Sequence, residues 1–265
     1  MASGSQSLGT GYNNASTDSL GLISGATGGT PQGIYAESST QEYPLGTKRQ
    51  FEDGRAFRYS KAVAAITAAK VVSTDSVQLI AADINGTFTA ASAGAKSITV
   101  SDSTLGSATA DLYAGAYFGN ITNLEQYRIK GNTAASSNSV TFSLYDGIVT
   151  AVASSDDYII TPNPYSSVIT ATVGTGDTDY DRVVGIAPMA VTIAYYFWLQ
   201  TAGVAFALTE AAAAIVLGDT VALSDSTAGT IQTSDAGADE RIVGQALGAA
   251  ATSKPCPILL HGLGD

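Results

Sequence analysis

The sequence contains very few of the side chains on which enzymes depend most often. Its 265 residues include one histidine, His261, and one cysteine, Cys256. A catalytic triad or a Cys-His pair would need this one histidine, and no Gly-x-Ser-x-Gly motif surrounds a serine. A single cysteine also excludes an intramolecular disulfide and a zinc site built from several cysteines. We therefore predict a protein that is not an enzyme and that needs no cofactor.

Charged residues are also scarce. They make up 13% of the chain, about half of the usual ~25% in soluble domains. A surface with so few charges is poorly protected against association, which predicts that neighbouring molecules cover much of it. The net charge of -11 and the isoelectric point near 4.3 argue against nucleic acid as a partner, because phosphate contacts require clustered positive charge.

The few positive charges are concentrated in one place, the basic stretch at residues 48–61. This stretch carries five of the twelve basic residues, namely Lys48, Arg49, Arg55, Arg58 and Lys61. It has a net charge of +3, whereas the rest of the chain has a net charge of -14. A basic patch on an acidic body predicts docking onto a large acidic partner, whose field attracts only that patch. The alternative is that these charges solvate a strand and a turn.

One acidic pattern has part of the spacing of a calcium-binding loop. Asp177, Asp179 and Asp181 have the alternating spacing of a calcium loop, but Arg182 and Pro188 occupy the positions of its glycine and its bidentate glutamate. A solvated acidic turn is the prediction there, and no metal site is assigned.

The uncharged interval between Arg182 and Glu210 invites a membrane interpretation. Gln200 and Gly203 interrupt it, and its β-branched and aromatic residues favour two buried strands with a turn near Ala202-Gly203 over a membrane helix. The start of the chain shows no secretory signal, so we expect synthesis in a cytoplasm and no membrane partner.

The first 47 residues are rich in Gly, Ser, Thr and Asn and contain neither Lys nor Arg. Such a segment buries too little apolar surface to fold alone. We predict an extended arm that lies along neighbouring subunits, with Tyr12, Leu22, Ile34 and Tyr35 as its apolar anchors. Packing of the arm on its own body is the alternative.

The remainder follows a β pattern of short strands separated by turns. Predicted strands are 77–80, 96–100, 126–130, 140–145, 148–152 and 257–261, with a hairpin that joins 219–224 to 230–233. Helix and strand both remain open for 62–72 and 209–217. The prediction is a mainly β fold: an extended N-terminal arm followed by one or two small antiparallel β-sandwich or barrel modules.

Three regions follow from these patterns. They are an arm with the basic stretch at 1–61, a β module at 62–180 and a C-terminal β module at 181–265. The sequence Val-Val-Gly-Ile-Ala at 183–187 returns as Ile-Val-Gly-Gln-Ala at 242–246, 59 positions later. An internal repeat and coincidence both remain open, because repeat architectures normally show more than two copies.

A family resemblance rests on two parts of the chain. Residues 43–62 read Tyr-Pro-Leu-Gly-Thr-Lys-Arg-Gln-Phe-Glu-Asp-Gly-Arg-Ala-Phe-Arg-Tyr-Ser-Lys-Ala. This segment resembles one in structural proteins of tailed bacteriophages, particularly small capsid decoration proteins, also called cement proteins. The stretches 183–188 and 195–203 look like the carboxyl-terminal β-rich part of the same kind of protein.

The resemblance implies a virion structural protein on the capsid exterior. By analogy with decoration proteins, we expect a homotrimer that binds the major capsid protein and stabilises the assembled head. The residues expected to contact the capsid are Lys48, Arg49, Arg55, Arg58, Tyr12, Leu22, Ile34 and Tyr35. A tail or fibre protein that binds a receptor is the alternative function, and a β-rich hydrolase with a pair of carboxylates is a more distant one.

Overall fold

The computed structural model describes residues 32–75, 87–173, 182–211, 214–234 and 240–263. The strands within these ranges are β1 (Lys48–Gln50), β2 (Ala56–Lys61), β3 (Val71–Thr74), β4 (Thr87–Phe88), β5 (Ser97–Ser101), β6 (Tyr117–Asn120), β7 (Glu125–Asn132), β8 (Ser139–Leu144), β9 (Tyr158–Thr161), β10 (Val168–Thr170), β11 (Val183–Ile186), β12 (Tyr196–Leu208), β13 (Thr220–Leu223), β14 (Ile231–Thr233), β15 (Ile242–Ala246) and β16 (Pro255–Leu260). They form a ten-stranded sheet and a six-stranded sheet, in which every strand pair is antiparallel.

The predicted mainly β fold is confirmed. Within the described ranges there is no α-helix, only a turn of 3-10 helix at Ser103–Leu105. In their described residues, the two segments left open between helix and strand contain turns and isolated bridges. The first segment ends with the start of β3, and the second precedes β13. Within the described residues, no helix has both the length and the apolar character needed to cross a membrane.

Most of the described strand predictions agree with the structure. The strands predicted at 96–100, 126–130, 140–145 and 257–261 correspond to β5, β7, β8 and β16, and the predicted hairpin is β13–β14. The strand predicted at 148–152 is wrong, because Ile148 and Val152 are loop residues whose side chains pack into a core. The strand predicted at 77–80 lies outside the described residues.

The six-stranded sheet comes from one continuous part of the chain. Its strand order is β4-β5-β8-β7-β6-β9. One face carries the buried side chains of Ile98, Phe118, Ile129 and Phe142, and residues between the strands, such as Leu105 of the 3-10 turn, close this core. Alternate positions on β7 point to solvent, as expected for a sheet with one covered face.

The ten-stranded sheet curls into a half-barrel. Its main path runs β10-β3-β11-β12-β16-β15-β13-β14, and β1 and β2 join at β12. The two ends of this path meet at Gly229, whose N–H donates to the Ala171 carbonyl at 2.8 Å and whose carbonyl accepts from the Val71 N–H at 2.9 Å. Val71, Ala171, Val221 and other buried residues therefore share one core.

Strand β12 changes partner in its middle. Residues 196–202 pair with β2, and residues 203–208 pair with β16. The turn predicted near Ala202-Gly203 is therefore wrong: Gly203 has φ +83°, and the strand continues through it for 13 residues. A Cβ atom at Gly203 would lie 2.7 Å from the Arg55 Cα, so the close approach of the β1–β2 turn requires glycine.

The short sequence echo marks a structural repeat. Its two copies are β11 and β15, and each has an irregular register beside its glycine. A Cβ at Gly185 would lie 2.4 Å from the Gln200 carbonyl oxygen, and one at Gly244 would lie 2.2 Å from the Leu259 carbonyl oxygen. Both glycines thus allow the same close approach of the following strand.

The repeat extends over the whole larger sheet except β1. The first repeat comprises β2, β3, β10, β11 and residues 196–202, and the second comprises residues 203–208, β13, β14, β15 and β16. Equivalent backbone hydrogen bonds recur: Thr74 N to Arg182 O and Leu223 N to Arg241 O, Ala187 N to Lys70 O and Ala246 N to Asp219 O, Val191 N to Ile66 O and Ala250 N to Ile215 O. This agreement favours an internal repeat over coincidence as the explanation of the echo.

The six-stranded sheet is an insertion into the first repeat. It lies between β3 and β10, whereas residues 224–230 alone join the equivalent strands β13 and β14. Strands from all three predicted regions enter the ten-stranded sheet, so the sheets are not divided at 61/62 or 180/181. Those boundaries remain predictions about domains.

Replacing Gly203 with alanine should lower the free energy of unfolding by about 3 kcal/mol, because the substitution combines an unfavourable positive φ with a backbone clash. Gly54→Ala is the matched control, since Gly54 has φ +85° but open space around its Cβ position. The control should cost about 1 kcal/mol. Urea denaturation of both variants measures the difference, and equal costs would contradict the proposed role of the close approach.

Candidate functional site

The basic stretch forms the β1–β2 hairpin, and its arginines interact extensively with its own aromatic residues. Arg49 is buried, with 5% of its surface exposed. Its guanidinium group lies 5.3 Å from the centre of the Phe51 ring and 5.8 Å from that of Trp198, and it donates to the Gln32 carbonyl at 3.3 Å. These contacts make Arg49 part of the interior of the chain.

The other basic side chains of the stretch are partly exposed. Arg55 Nε donates to Asp53 Oδ2 at 2.6 Å. Partial burial opposes the shift, but hydrogen bonds from the Arg55 backbone and side chain lower the pKa of Asp53. Lys48 lies opposite Arg58 in the β1–β2 pair, and Lys61 Nζ lies 5.6 Å from the centre of the Tyr196 ring. Of these side chains, Arg55 is already paired with a carboxylate, that of Asp53.

Residues 32–51, here called the covering segment, lie across an aromatic face of the first repeat. The rings of Tyr59 and Trp198 on this face are fully buried, and the Tyr43 ring lies 5.2 Å from each of them. Trp198 Nε1 donates to the Gln32 carbonyl at 3.1 Å, and the Tyr59 hydroxyl donates to Gln32 Oε1 at 2.8 Å. Ile34 packs against the same cluster.

The predicted arm anchors are therefore separated. Ile34 contacts the chain's own core, whereas Tyr35 is 65% exposed. Gly33 to Ala36 also line a groove of about 440 Å³ beside Arg49, Phe51 and Arg55. Tyr12 and Leu22 lie outside the described residues.

A larger cavity lies between the two sheets. Its volume is about 620 Å³. Three of the chain's six arginines line it: Arg58 from β2, Arg128 from β7, and Arg182 just before β11. The other described lining residues are Leu45, Gly46, Thr74, Tyr117, Gln126, Thr161, Pro162, Asn163, Pro164, Tyr165, Val183 and Val184. None of these lining side chains is acidic, and we call this cavity the arginine cleft.

Local contacts position the arginines of the cleft. Arg58 Nη1 donates to the Gly46 carbonyl at 3.0 Å, and its guanidinium group lies 5.8 Å from the centre of the Tyr165 ring. Arg128 lies 5.3 Å from the centre of the exposed Tyr145 ring. The side chain of Arg182 is exposed. Guanidinium groups match carboxylates in planar paired hydrogen bonds, so the arginine cleft can bind an anionic ligand.

The sequence pattern predicted Arg58 as a contact residue, but it did not predict Arg128 and Arg182 as members of the same site. Arg58 and Arg128 are 70 positions apart, and Arg128 and Arg182 are 54 positions apart. Arg128 lies in the six-stranded sheet, whereas Arg58 and Arg182 lie in or next to strands of the ten-stranded sheet. No local motif signals their convergence. The six-stranded insertion supplies Arg128, so the cleft depends on the tertiary arrangement of the two sheets.

The residues considered for catalysis and metal binding have ordinary structural positions. The Cys256 thiol is buried and lies 3.5 Å from the Gly248 carbonyl; its burial, with a contribution from Asp219, raises the pKa of the thiol. His261 is exposed, and its backbone N–H donates to the Val243 carbonyl. Across the described ranges, no cluster of three His, Cys, Asp or Glu side chains could hold a metal ion. The acidic triplet at 177, 179 and 181 lies outside those ranges.

The two parts of the chain that carry the phage resemblance are neighbours in the fold. The segment at 43–62 contains β1 and β2, and the stretches at 183–188 and 195–203 contain β11 and the first half of β12. Tyr59 of β2 lies opposite Trp198 of β12. Comparisons with protein-family models, curated proteins and solved structures find no match to this chain.

Tyr59 should make the attachment of the covering segment sensitive to alkaline pH. Burial raises the pKa of Tyr59 from 10.0 to about 12. Between these values the hydroxyl ionises in the unfolded chain before it ionises in the folded one. The contribution of Tyr59 to the free energy of unfolding is therefore fully present below pH 10 and is lost as the pH rises towards 12. Tyr59→Phe should remove this part of the pH dependence.

At pH 7 the same variant should lose about 1 kcal/mol of unfolding free energy, because the Tyr59 hydroxyl donates to Gln32 and accepts from the Glu42 N–H. The difference from wild type should shrink between pH 10 and 12. Denaturant titrations at several pH values measure it, with the exposed Tyr35→Phe as the control that should leave stability unchanged. A constant difference across this pH range would show that Tyr59 does not carry the effect.

Proposed function

We propose that this chain is a noncatalytic decoration protein of a phage capsid, and that it docks on the outer surface of the assembled head through the arginine cleft. The phage context comes from the resemblance at 43–62 and 183–203. The observation that supports docking is the presence of Arg58, Arg128 and Arg182 in a cavity whose described lining residues include no acidic one, on a chain with net charge -11. An acidic segment of the major capsid protein is the matching ligand.

The arginine cleft replaces the basic stretch as the centre of the proposed contact. Arg49 is buried and Arg55 is paired with Asp53, so neither offers a fully exposed charge. Arg58 belongs to both features and connects the sequence prediction with the cavity. Lys48 lies opposite Arg58 in the β1–β2 pair and would extend the contact with the shell. Tyr35 lines the separate groove beside Arg49 and Arg55, and its contact with the shell stays a prediction.

Stabilisation of the head would follow from mass action. A protein that binds only the assembled shell shifts the equilibrium away from the separated subunits, and it does so without chemistry. A homotrimer, proposed by analogy with decoration proteins, would present three arginine clefts at once. Three linked sites raise the effective affinity well above that of a single cleft.

Receptor binding by a tail or fibre protein remains the second candidate. Tyr117 and Tyr145 are both exposed near Arg128, and aromatic rings beside a polar cleft can stack on sugars. A count of copies on intact particles separates the two proposals. Many copies distributed over the head favour decoration, and a few copies confined to the tail favour receptor binding.

The double variant Arg128→Gln, Arg182→Gln should bind heads stripped of this protein about tenfold more weakly, because it removes two guanidinium groups from the cleft. The dependence of binding on salt should also become shallower. Sedimentation of the labelled protein with heads at increasing salt measures both effects.

The matched control is Lys130→Gln, Lys254→Gln. It removes the same charge from two exposed side chains that do not line the cleft. This control should retain nearly all of the binding. Equal losses in both double variants would show that net charge and not the cleft is responsible, and wild-type binding by the Arg128→Gln, Arg182→Gln protein would remove the cleft from the proposal.

A further inference from the structure

The second repeat carries an exposed apolar face on β12 and β16. It consists of Val204, Phe206, Leu208, Pro257 and Leu259, here called the second-repeat face. Val204, Phe206 and Leu259 are 46%, 59% and 42% exposed. No residue of β12 or β16 is charged. Three large apolar side chains side by side on a sheet indicate a surface that another segment covers.

The internal repeat shows what kind of segment fits this face. The pairs Phe57–Gln200 and Tyr59–Trp198 of the first repeat are equivalent to Val204–Leu259 and Phe206–Pro257 of the second. In the first repeat, Phe57, Tyr59 and Trp198 are fully buried beneath the covering segment. The same face is therefore covered in one repeat by an extended, preceding part of the chain and left exposed in the other.

From this asymmetry we propose that residues 20–23 of the same chain cover the second-repeat face. This part of the chain reads Leu-Gly-Leu-Ile and provides three apolar side chains without any charge. Between it and Gln32 there is neither a charged residue nor a large apolar one that would compete for the face. The proposal does not depend on the function of the protein in a virion.

The length of the connection matches the distance to be spanned. Gln32 is fixed at Trp198 by the hydrogen bond from the indole nitrogen. Phe206 lies eight residues further along β12, which corresponds to about 27 Å in a strand. Ile23 precedes Gln32 by nine residues, and an extended chain of that length spans about 30 Å. The chain between residue 23 and Gln32 is therefore long enough to bring residues 20–23 to the second-repeat face.

Attachment within one chain is favoured over attachment to a neighbour. A short tether gives the arm an effective concentration of about millimolar at its own face. A neighbouring chain would compete only at a comparable protein concentration. Covering by the same chain should thus be independent of dilution.

Cysteine accessibility in the full-length chain tests this proposal. Val204→Cys introduces a thiol into the second-repeat face with little change of volume, and the native Cys256 is buried and has a raised pKa, so it should react slowly. The added substitutions Leu20→Ser, Leu22→Ser and Ile23→Ser should increase the rate of maleimide labelling at position 204 about tenfold. The matched control, Leu8→Ser with Tyr12→Ser, alters apolar arm residues further from the tether and should leave the rate unchanged.

Each outcome bears on the assignment. Equal labelling rates with and without the three serine substitutions would overturn the proposal, and so would an equal increase in the Leu8→Ser, Tyr12→Ser control. Protection that grows with protein concentration would assign the cover to a neighbour's arm and overturn attachment within one chain. As a control for folding, every variant should have the same midpoint temperature of thermal unfolding as the Val204→Cys protein, which would show that the sheets are intact.

Discussion

The pairing of one strand, β12, with two successive partners is the constraint on which the larger sheet depends. Its first half completes the first repeat against β2, and its second half begins the second repeat against β16. Phe197, Trp198 and Ala205 from this strand enter three different core clusters. The two repeats therefore cannot separate without the loss of β12, and the positive φ of Gly203 permits the change of partner.

The differences between the two repeats coincide with the features that could serve function. Arg182 and Arg241 occupy equivalent positions before β11 and β15, but only Arg182 lines the arginine cleft. The second repeat lacks a counterpart of Arg128, because a short loop replaces the six-stranded insertion there. The arginine cleft thus includes a side chain from the insertion, and among the described residues no second segment covers the second-repeat face.

Local patterns predicted much of the fold because strands such as β5, β7 and β8 alternate clearly and end at turn residues. The pattern failed at 148–152, where apolar loop residues fill a core, and at Gly203, where a glycine allows a change of strand partner and not a turn. Arg49 has the sequence signature of a surface charge, but stacking on Phe51 and Trp198 accounts for its burial. The arginine cleft had no local signal, since its members come from distant strands.

The charge distribution also constrains how such a cleft could find its ligand. At physiological salt, attraction and repulsion between exposed charges decay over about 8 Å. A chain with net charge -11 would therefore gain no long-range attraction to an acidic partner, and the arginine cleft would act only at close approach. Long-range steering would contribute little, and recognition would rest on short-range guanidinium–carboxylate contacts together with apolar contacts from exposed rings such as Tyr117 and Tyr145. The geometry of the cleft would then determine the affinity, and the overall composition of the chain would not.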